Sequence, residues 1–228
     1  MSKVVWSLFD GSGFMGYEYA KNGWQVYCFN ADTADHGQYE FRKEHPNIHY
    51  VNCWIDENFE AFVAKTGLPK PDIIFAFPSC TYLTVAGAKH SRTKSELMES
   101  IDNAKMVERI ANLFRCPWMV ENPVGKMSTL WRKPDYYFDP YEYGGYLGAG
   151  EGSYHPKMPF MNAYTKKTCL WAGNGFIMPG KLPVQHIGCF WGWKYLGGKS
   201  ERTKQLRSLT PEGFARAVYI FNNSVNAK

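Results

Sequence analysis

A cysteine stands where the sequence can present a reactive thiol. Cys80 follows Phe77-Pro78-Ser79 at the end of the apolar run 72–77, which has the character of a buried parallel strand. A thiol at such a strand end, near a helix amino terminus, ionises more easily and can serve as a nucleophile. A lone cysteine is otherwise most often a small buried hydrophobe, and that structural role is expected for the other five: Cys28, Cys53, Cys116, Cys169 and Cys189.

A carboxyl group follows the next apolar run. Glu121 comes directly after residues 118–120 and is followed by Asn122 and Pro123. A carboxyl group that leaves a dry environment has a raised pKa, which suits a proton donor or a partner for a ring nitrogen. The alternative interpretation is a carboxylate that only begins a helix.

A glycine pattern near the amino terminus is typical of nucleotide binding. Gly11-x-Gly13-x-x-Gly16 follows the apolar run 4–9, and Asp32 lies near the distance expected of a ribose-binding carboxylate. The glycines let the backbone turn sharply and approach a ligand, while the carboxylate accepts hydrogen bonds from ribose hydroxyls. NAD and S-adenosylmethionine both need a close approach of the backbone and a carboxylate for the ribose hydroxyls. Taken alone, the pattern also fits a tight turn that binds nothing.

Apolar runs that alternate with helix-like stretches must position these groups. The alternation predicts an α/β Rossmann-like fold with a mostly parallel sheet and helices on both faces. In such sheets ligands bind beyond the carboxyl ends of the strands, which is where all three motifs fall. The predicted strands cover 4–9, 24–30, 72–77 and 118–120, and the predicted helices cover 15–22, 56–65, 95–114 and 210–222.

The chain length predicts one catalytic domain over residues 1–228, because two domains of ordinary size need more residues. From about residue 134 onward, glycine, proline and aromatic residues crowd together and helical periodicity disappears. We interpret 134–200 as a loop-rich insertion with a hairpin around 168–178. This segment is the candidate for a reduced substrate-recognition region.

Composition limits the partners. Aromatic residues make up 17% of the chain, which suits stacking surfaces although core packing is their commoner use. The net charge of +5 permits a phosphate-bearing partner without requiring one. Scattered cysteines without a close pair predict reduced thiols and no metal site. No apolar stretch reaches about 18 residues and no basic leader is evident, so we expect a cytoplasmic protein without a membrane anchor.

Taken in order, five segments resemble motifs of the cytosine-5 DNA methyltransferase family. Ser7-Leu8-Phe9-Asp10-Gly11-Ser12-Gly13 is similar to its cofactor loop, Pro78-Ser79-Cys80 to its proline-cysteine loop, and Glu121-Asn122-Pro123 to its Glu-Asn-Val element. Lys166-Lys167-Thr168 occupies the place of its glutamine-arginine-arginine strand. The segment 207–216 resembles its late Arg-x-Leu-Thr-x-x-Glu-x-Ala-Arg motif.

The resemblance implies an S-adenosylmethionine-dependent methyltransferase fold and a covalent mechanism. In the family the cysteine thiolate adds to carbon 6 of cytosine while the glutamate holds ring nitrogen 3, and the base is flipped out of the DNA duplex. Cys80, Glu121 and Lys167 would be the catalytic residues. The implied cofactor contacts are Phe9, Asp10, Gly11, Gly13, Asp32, Asp56 and Pro78, and the implied substrate contacts are Ser79, Asn122, Lys166 and Arg207.

Several departures from the family pattern bear on the substrate. The cysteine motif reads Pro-Ser-Cys rather than Pro-Cys-Gln, lysines replace two arginines, and Asn30 stands where many members have a glutamate. Little room remains between Lys167 and Arg207 for a target-recognition domain, so the chain resembles a short, phage-like member with weak sequence preference. Phosphate contacts would come from 89–94 and 199–207.

Other functions remain open at this point. The same chemistry on RNA or on a free cytidine nucleotide would explain the missing recognition domain. An NAD(P)-dependent oxidoreductase is supported by the glycine pattern and Asp32, but it leaves Cys80 and Glu121 unexplained. A binding protein that keeps the fold without turnover is the fourth hypothesis. Aromatic residues of the insertion, Trp191, Trp193 and Tyr195, either stack on bases or, more commonly for such residues, pack under the glycine-rich loop.

Overall fold

A seven-stranded sheet organises the chain, whose computed structural model describes residues 2–81, 83, 93–198 and 200–223. The strands are β1 Val4–Leu8, β2 Gln25–Asn30, β3 Ile48–Asn52, β4 Ile73–Ala76, β5 Trp118–Pro123, β6 Tyr136–Phe138 and β7 Thr168–Gly173. They lie in the order β3-β2-β1-β4-β5-β7-β6. The first five are parallel, and β7 runs antiparallel to both of its neighbours, β5 and β6.

Helices cover both faces of the sheet. They are α1 Tyr17–Lys21, α2 Phe59–Lys65, α3 Lys94–Phe114, α4 Met127–Leu130, α5 Trp191–Tyr195, α6 Glu201–Ser208 and α7 Glu212–Asn222, with short 3₁₀ helices at Pro140–Tyr146 and Phe160–Asn162. The side chains of β1 contact both helix layers, because successive side chains of a strand point to opposite faces of the sheet. Its residues Val4, Trp6 and Leu8 pack with α2 and α3, whereas Val5 packs with α1 and α7. The predicted Rossmann-like α/β class is confirmed.

The strand order creates a crevice at one place. From β1 the chain proceeds outward through β2 to β3, and then returns to place β4 on the other side of β1. Ligands of open α/β sheets bind beyond the carboxyl ends of the strands at such a switch point. The glycine loop follows β1 there, and the Cys80 segment follows β4.

The hairpin predicted around residues 168–178 is wrong. Residues 168–173 form the single strand β7, which is inserted between β5 and β6, and a turn follows at 174–175. The strand has a partner on each side and is buried over its first four residues, so its sheet contacts are long-range ones rather than those of a local hairpin. Part of the segment 134–200 therefore belongs to the central sheet.

Among the described residues, no helix combines the length and the apolar character that crossing a bilayer requires.

The third glycine of the motif sets how closely α1 approaches the sheet. A Cβ atom on Gly16 would lie 2.4 Å from Cγ1 of Val26 on β2. That distance is far below a normal contact between carbon atoms. Glycine is therefore required by packing here.

We predict that Gly16→Ala lowers the free energy of unfolding by roughly 1–3 kcal/mol, the usual range for overpacking a core. The matched control is Gly150→Ala, where a Cβ atom meets nothing within 4 Å. Denaturant unfolding checks both variants. In a double-mutant cycle, Gly16→Ala should be less destabilising when Val26 is replaced by Ala; equal effects in the two backgrounds would contradict the assigned contact.

Candidate active site

The glycine loop after β1 is organised around a buried carboxylate. One oxygen of Asp10, Oδ1, accepts hydrogen bonds from the backbone N–H groups of Ser12 (2.8 Å) and Gly13 (2.9 Å) and from the Ser12 hydroxyl (2.8 Å). The other, Oδ2, accepts one from the Ser7 hydroxyl at 2.7 Å. Asp10 therefore fixes the shape of the loop from inside, and it uses the N–H groups that a bound phosphate would need.

The residues beside Asp10 continue the loop. Phe9 adopts a left-handed backbone conformation (φ 57°) and packs, partly buried, against the core on the α2 and α3 side of the sheet. The carbonyl oxygen of Gly11 accepts a hydrogen bond from Nε of Arg42 at 3.1 Å. Arg42 was not singled out by the sequence, because it lies in an irregular segment without a motif.

A small cavity lies at the carboxyl ends of β2 and β3, and Asp32 lines it. The carboxylate of Asp32 accepts hydrogen bonds through Oδ1 from Arg42 (2.9 Å) and from the Asn30 amide (3.2 Å), and its backbone N–H donates to Asn52. A carboxylate with neighbouring amides suits the hydroxyl groups of a ribose. The described residues that line this cavity are Cys28, Asn30, Asp32, Arg42, Tyr50, Val51 and Asn52.

The structure does not bring Asp56 to that cavity lining. Asp56 lies in the loop between β3 and α2, and its Oδ1 accepts a hydrogen bond from the backbone N–H of Asn58 at 2.8 Å. This contact organises the start of α2. The contact to an adenine amine that the resemblance implies for Asp56 stays a prediction.

Cys80 and Glu121 emerge at the same edge of the sheet. Strands β4 and β5 are parallel neighbours with Ala76 opposite Val120; β4 ends there, whereas β5 continues through Glu121 and pairs with β7. The two segments are tied together, because the buried amide of Asn122 donates a 2.8 Å hydrogen bond to the carbonyl of Pro78. The predicted thiol and carboxyl group thus converge.

Burial changes the proton affinity of both groups. Burial raises the pKa of the Glu121 carboxyl above its usual range, as the sequence predicted, and the nearby Lys166 ammonium partly offsets this. Burial also raises the pKa of the Cys80 thiol, with Lys166 lowering it and Glu121 raising it further. The expectation that Cys80 ionises easily is therefore wrong, because desolvation outweighs the favourable charge. The described residues around it include no helix amino terminus: α3 begins at Lys94.

The two lysines before β7 point to different places. Lys166 lines the cavity with Glu121, and its ammonium donates a 2.9 Å hydrogen bond to the carbonyl of Arg207. The Lys167 ammonium instead lies 4.9 Å from the centre of the Tyr137 ring. Adjacent side chains of an extended segment point to opposite sides, so only one of the pair can face the cavity. The cation beside Cys80 and Glu121 is Lys166, and the catalytic role expected of Lys167 stays a prediction.

A second small cavity, partly open to solvent, adjoins these groups. The α6–α7 junction closes one side of it. Its described lining residues are Phe77, Glu121, Phe138, Lys166, Thr168, Ser208, Leu209, Thr210, Pro211 and Phe214. Cys80 is not among these lining residues, but the charges of two of them, Lys166 and Glu121, act on its thiol.

The charged residues of the late motif are anchors. The guanidinium of Arg207 donates to the carbonyls of Gly192 (3.3 Å) and Leu196, and so holds α5 rather than facing the cavity. Glu212 accepts hydrogen bonds from Lys43 (2.9 Å) and from the Tyr154 hydroxyl. The residues between them, 208–211, line the cavity, although the sequence analysis singled out only Arg207 in this segment as a substrate contact.

The remaining expectations for substrate contacts have mixed outcomes. Ser79 is exposed, and its hydroxyl pairs with that of Thr81 at 3.1 Å. Residues 89–92 and Lys199 lie outside the described part of the chain. On α6, Arg202 pairs with Glu40 and Lys204 pairs with Asp35, so both cations already have partners within the molecule. Among described residues, no group of three or more side chains of the metal-binding types comes together.

Comparison with known proteins gives distant structural matches. No family model and no curated protein sequence matches the chain. A protein described as a DNA modification methyltransferase encoded within a prophage (E. coli) is 15% identical, covering 75% of this chain and 46% of its own, with a TM-score of 0.44. The Bordetella bronchiseptica enzyme WbmH, solved with NAD+, is 16% identical and covers 50% and 36%, with a TM-score of 0.32. WbdD, solved with the kinase inhibitor LY294002, is 12% identical and covers 81% and 39%, with a TM-score of 0.34.

The chain spans less than half the length of each of these structures. At this distance none of them assigns a function, and the function has to be argued from the groups in the crevice.

We predict that Lys166→Gln makes Cys80 harder to ionise. The variant removes a charge that lowers the thiol pKa, and the thiolate is the species that alkylates, so the pH midpoint of iodoacetamide labelling moves upward. Mass spectrometry of the peptide carrying Cys80 follows the reaction. Lys167→Gln is the matched control and should leave the midpoint unchanged. An equal shift in both variants would show that the labelling reports overall charge instead.

Proposed function

We propose that this protein transfers a methyl group from S-adenosylmethionine to carbon 5 of cytosine in DNA. The observation that carries the proposal is the convergence of Cys80 after β4, Glu121 on β5 and Lys166 before β7, beside a small cavity that Glu121 and Lys166 line. A thiol, a proton-bearing carboxyl group and a cation form the set that nucleophilic activation of a pyrimidine needs.

Each of these residues has a definite task in the proposed reaction. In this reaction Glu121, whose pKa is raised by burial, acts in its protonated form and donates a hydrogen bond to ring nitrogen 3. The Cys80 thiol gives up its proton to solvent, helped by the Lys166 charge, and its sulfur bonds to carbon 6. The electron pair displaced onto carbon 5 makes that atom the nucleophile toward the methyl group that the cofactor would supply. Solvent then takes the carbon 5 proton, the electron pair of that C–H bond restores the ring double bond, and the bond from sulfur to carbon 6 breaks with its pair on the Cys80 sulfur.

The cofactor, when bound, supplies an electrophilic methyl group on a positively charged sulfur. The crevice fits such a group at three places. The cavity with Asp32 receives the ribose, the glycine loop allows close approach, and Pro78 leads to the thiol. The methyl group would then face the cavity that contains Glu121.

The glycine loop favours this cofactor over NAD(P). A dinucleotide places its pyrophosphate on free backbone N–H groups at a helix amino terminus. Here the N–H groups of Ser12 and Gly13 donate to the buried Asp10 carboxylate. A buried anion at that point repels a pyrophosphate and attracts a cation, so an oxidoreductase is disfavoured.

An exposed aromatic surface supports a nucleic acid as the substrate. On α5, Trp191 is buried, but Trp193 is 65% exposed and Tyr195 is 46% exposed. The ammonium groups of Lys157 and Lys194 lie 5.6 and 5.2 Å from the Tyr195 ring. Exposed aromatic rings beside lysines are the combination with which proteins bind unpaired bases and their phosphates.

This surface adjoins the active-site cavity. The Lys166 ammonium lies 4.8 Å from the Phe190 ring, which is 5.7 Å from the Trp193 ring. A strand whose target base occupies the cavity would therefore pass Trp193 with a neighbouring base. We assign the role of reduced substrate-recognition region to this part of the segment 134–200.

The decisive experiment is mass spectrometry of DNA nucleosides after expression in a host that lacks cytosine methylation. We expect 5-methyldeoxycytidine with the native protein and only background with Cys80→Ser, because the variant cannot form the bond to carbon 6. Cys189→Ser is the matched control, since Cys189 is an exposed free thiol, and it should retain activity.

Two results would change the proposal. Unchanged methylation in Cys80→Ser would exclude the covalent mechanism. In purified reactions with labelled cofactor, label found only in RNA or only in a cytidine nucleotide would exclude DNA as the substrate.

We further predict that Trp193→Ala weakens binding of a short cytosine-containing single strand roughly ten-fold, since stacking of a base on an aromatic ring is worth about 1–3 kcal/mol. Trp54→Ala is the matched control. Trp54 is 60% exposed and follows β3, which lies at the opposite edge of the sheet from β6. Fluorescence anisotropy at fixed salt measures both. Equal losses in the two variants would remove α5 from the substrate surface.

A further inference from the structure

Tyr39 lies between the two halves of the crevice. It belongs to the irregular connection between β2 and β3, and its ring lies directly against Gly11 of the glycine loop. A Cβ atom on Gly11 would come within 2.2 Å of Cδ2 of the Tyr39 ring. Only a glycine lets the ring approach the loop so closely.

The other end of the Tyr39 side chain reaches the active-site cavity. Its hydroxyl pairs with the Ser208 hydroxyl at 3.0 Å, and Ser208 lines the cavity with Glu121 and Lys166. Burial raises the pKa of Tyr39 to about 12, and the charges of Asp10 and Cys80 add to this effect. Tyr39 is thus within electrostatic reach of both the glycine loop and the predicted nucleophile.

The fold holds this ring in place. The side chain of Gln205, buried on α6, donates hydrogen bonds to the carbonyls of His36 (2.7 Å) and Gln38 (2.9 Å) and accepts one from the backbone N–H of Glu40 (2.9 Å). One buried amide therefore fixes the backbone on both sides of Tyr39. Its position is set by α6 rather than by the loop alone.

We propose that Tyr39 is a specificity-determining residue whose ring contacts the positively charged sulfur of the methyl donor. The inference rests on the proposed function, in which the donor extends from the Asp32 cavity past Gly11 toward Cys80. Tyr39 stands on that path, next to the buried Asp10 carboxylate. The face of an aromatic ring attracts a cation, and a nearby carboxylate adds to the attraction.

The contact distinguishes the donor from its product. When the methyl carbon bonds to carbon 5, its bond to sulfur breaks, the electron pair stays on sulfur, and the cationic sulfonium becomes a neutral thioether. The attraction to the Tyr39 ring is lost with the charge, while every contact to the ribose and base of the cofactor is retained. Tyr39 therefore favours the donor over S-adenosylhomocysteine.

The test is isothermal titration of the purified protein with S-adenosylmethionine and with S-adenosylhomocysteine. We expect Tyr39→Leu to weaken binding of the donor about five- to ten-fold, in line with a partly desolvated cation–π contact, and binding of the product less than two-fold. Tyr39→Phe keeps the ring and should preserve the preference. Tyr136→Leu, at the far edge of the sheet, is the control and should change neither affinity.

A variant that keeps the shape of the ring distinguishes loss of the contact from misfolding. Tyr39→pentafluorophenylalanine fills nearly the same space but lacks the negative face, and it should lose the preference as Tyr39→Leu does. Equal losses of affinity for donor and product would show that Tyr39 only packs against the loop. Tighter binding in Tyr39→Leu would show that the ring obstructs the site. Either result overturns the inference. A native protein that binds neither compound would overturn the proposed function itself.

Discussion

Desolvation of Cys80 and Glu121 at the ends of β4 and β5 is the constraint on which the rest of the site depends. Burial raises the pKa of both groups, and the Lys166 ammonium lowers the pKa of both. In the proposed mechanism the same burial helps Glu121, which is to keep a proton, and hinders Cys80, which is to lose one. A cation close to both is the simplest way for one partly buried site to serve two groups with opposite needs.

Single buried amides maintain this arrangement. Asn122 joins the end of β5 to the Pro78 carbonyl, and Gln205 joins α6 to the backbone around Tyr39. The Asn122 bond is buried and the Gln205 bonds are partly buried. Leaving a buried polar group unsatisfied costs about 1–3 kcal/mol. The loops of the crevice contain few apolar residues of their own. Their positions consequently depend on polar contacts with elements that are distant in sequence.

Local pattern accounts for the central elements and for the main reactive groups. Strands β1 and β4 and the first three residues of β5 are mostly apolar, and α3 and α7 have helical periodicity, so they were predictable. Strand β3 has only one fully buried residue and β6 has only three residues, which leaves too little pattern to detect. Helix α6 is mostly polar and is stabilised by its contacts with residues 35–40. Such contacts span about 165 residues of sequence, as Gln205 with Glu40 shows, and no local signal reports them.

Two motifs, the lysine pair and the glycine pattern, show what the sequence alone could not decide. The resemblance placed Lys166 and Lys167 together, whereas the alternation of an extended chain sends one to the cavity and the other to Tyr137. The glycine pattern alone fits either cofactor class.

Two carboxylates near the glycine pattern help to distinguish the cofactor classes. The Asp10 carboxylate accepts hydrogen bonds inside the loop, and Asp32 lies at the far end of the crevice. Two carboxylates thus lie along the glycine-loop side, where Asp32 is already paired with Arg42, and the ammonium of Lys166 lies on the cavity side. In the proposed function, a ligand that carries its positive charge beside Asp10 and presents an electron-rich ring to the cavity matches both. Transfer of the methyl group would remove the first of these matches, so the proposed electrostatics favour the donor over the product.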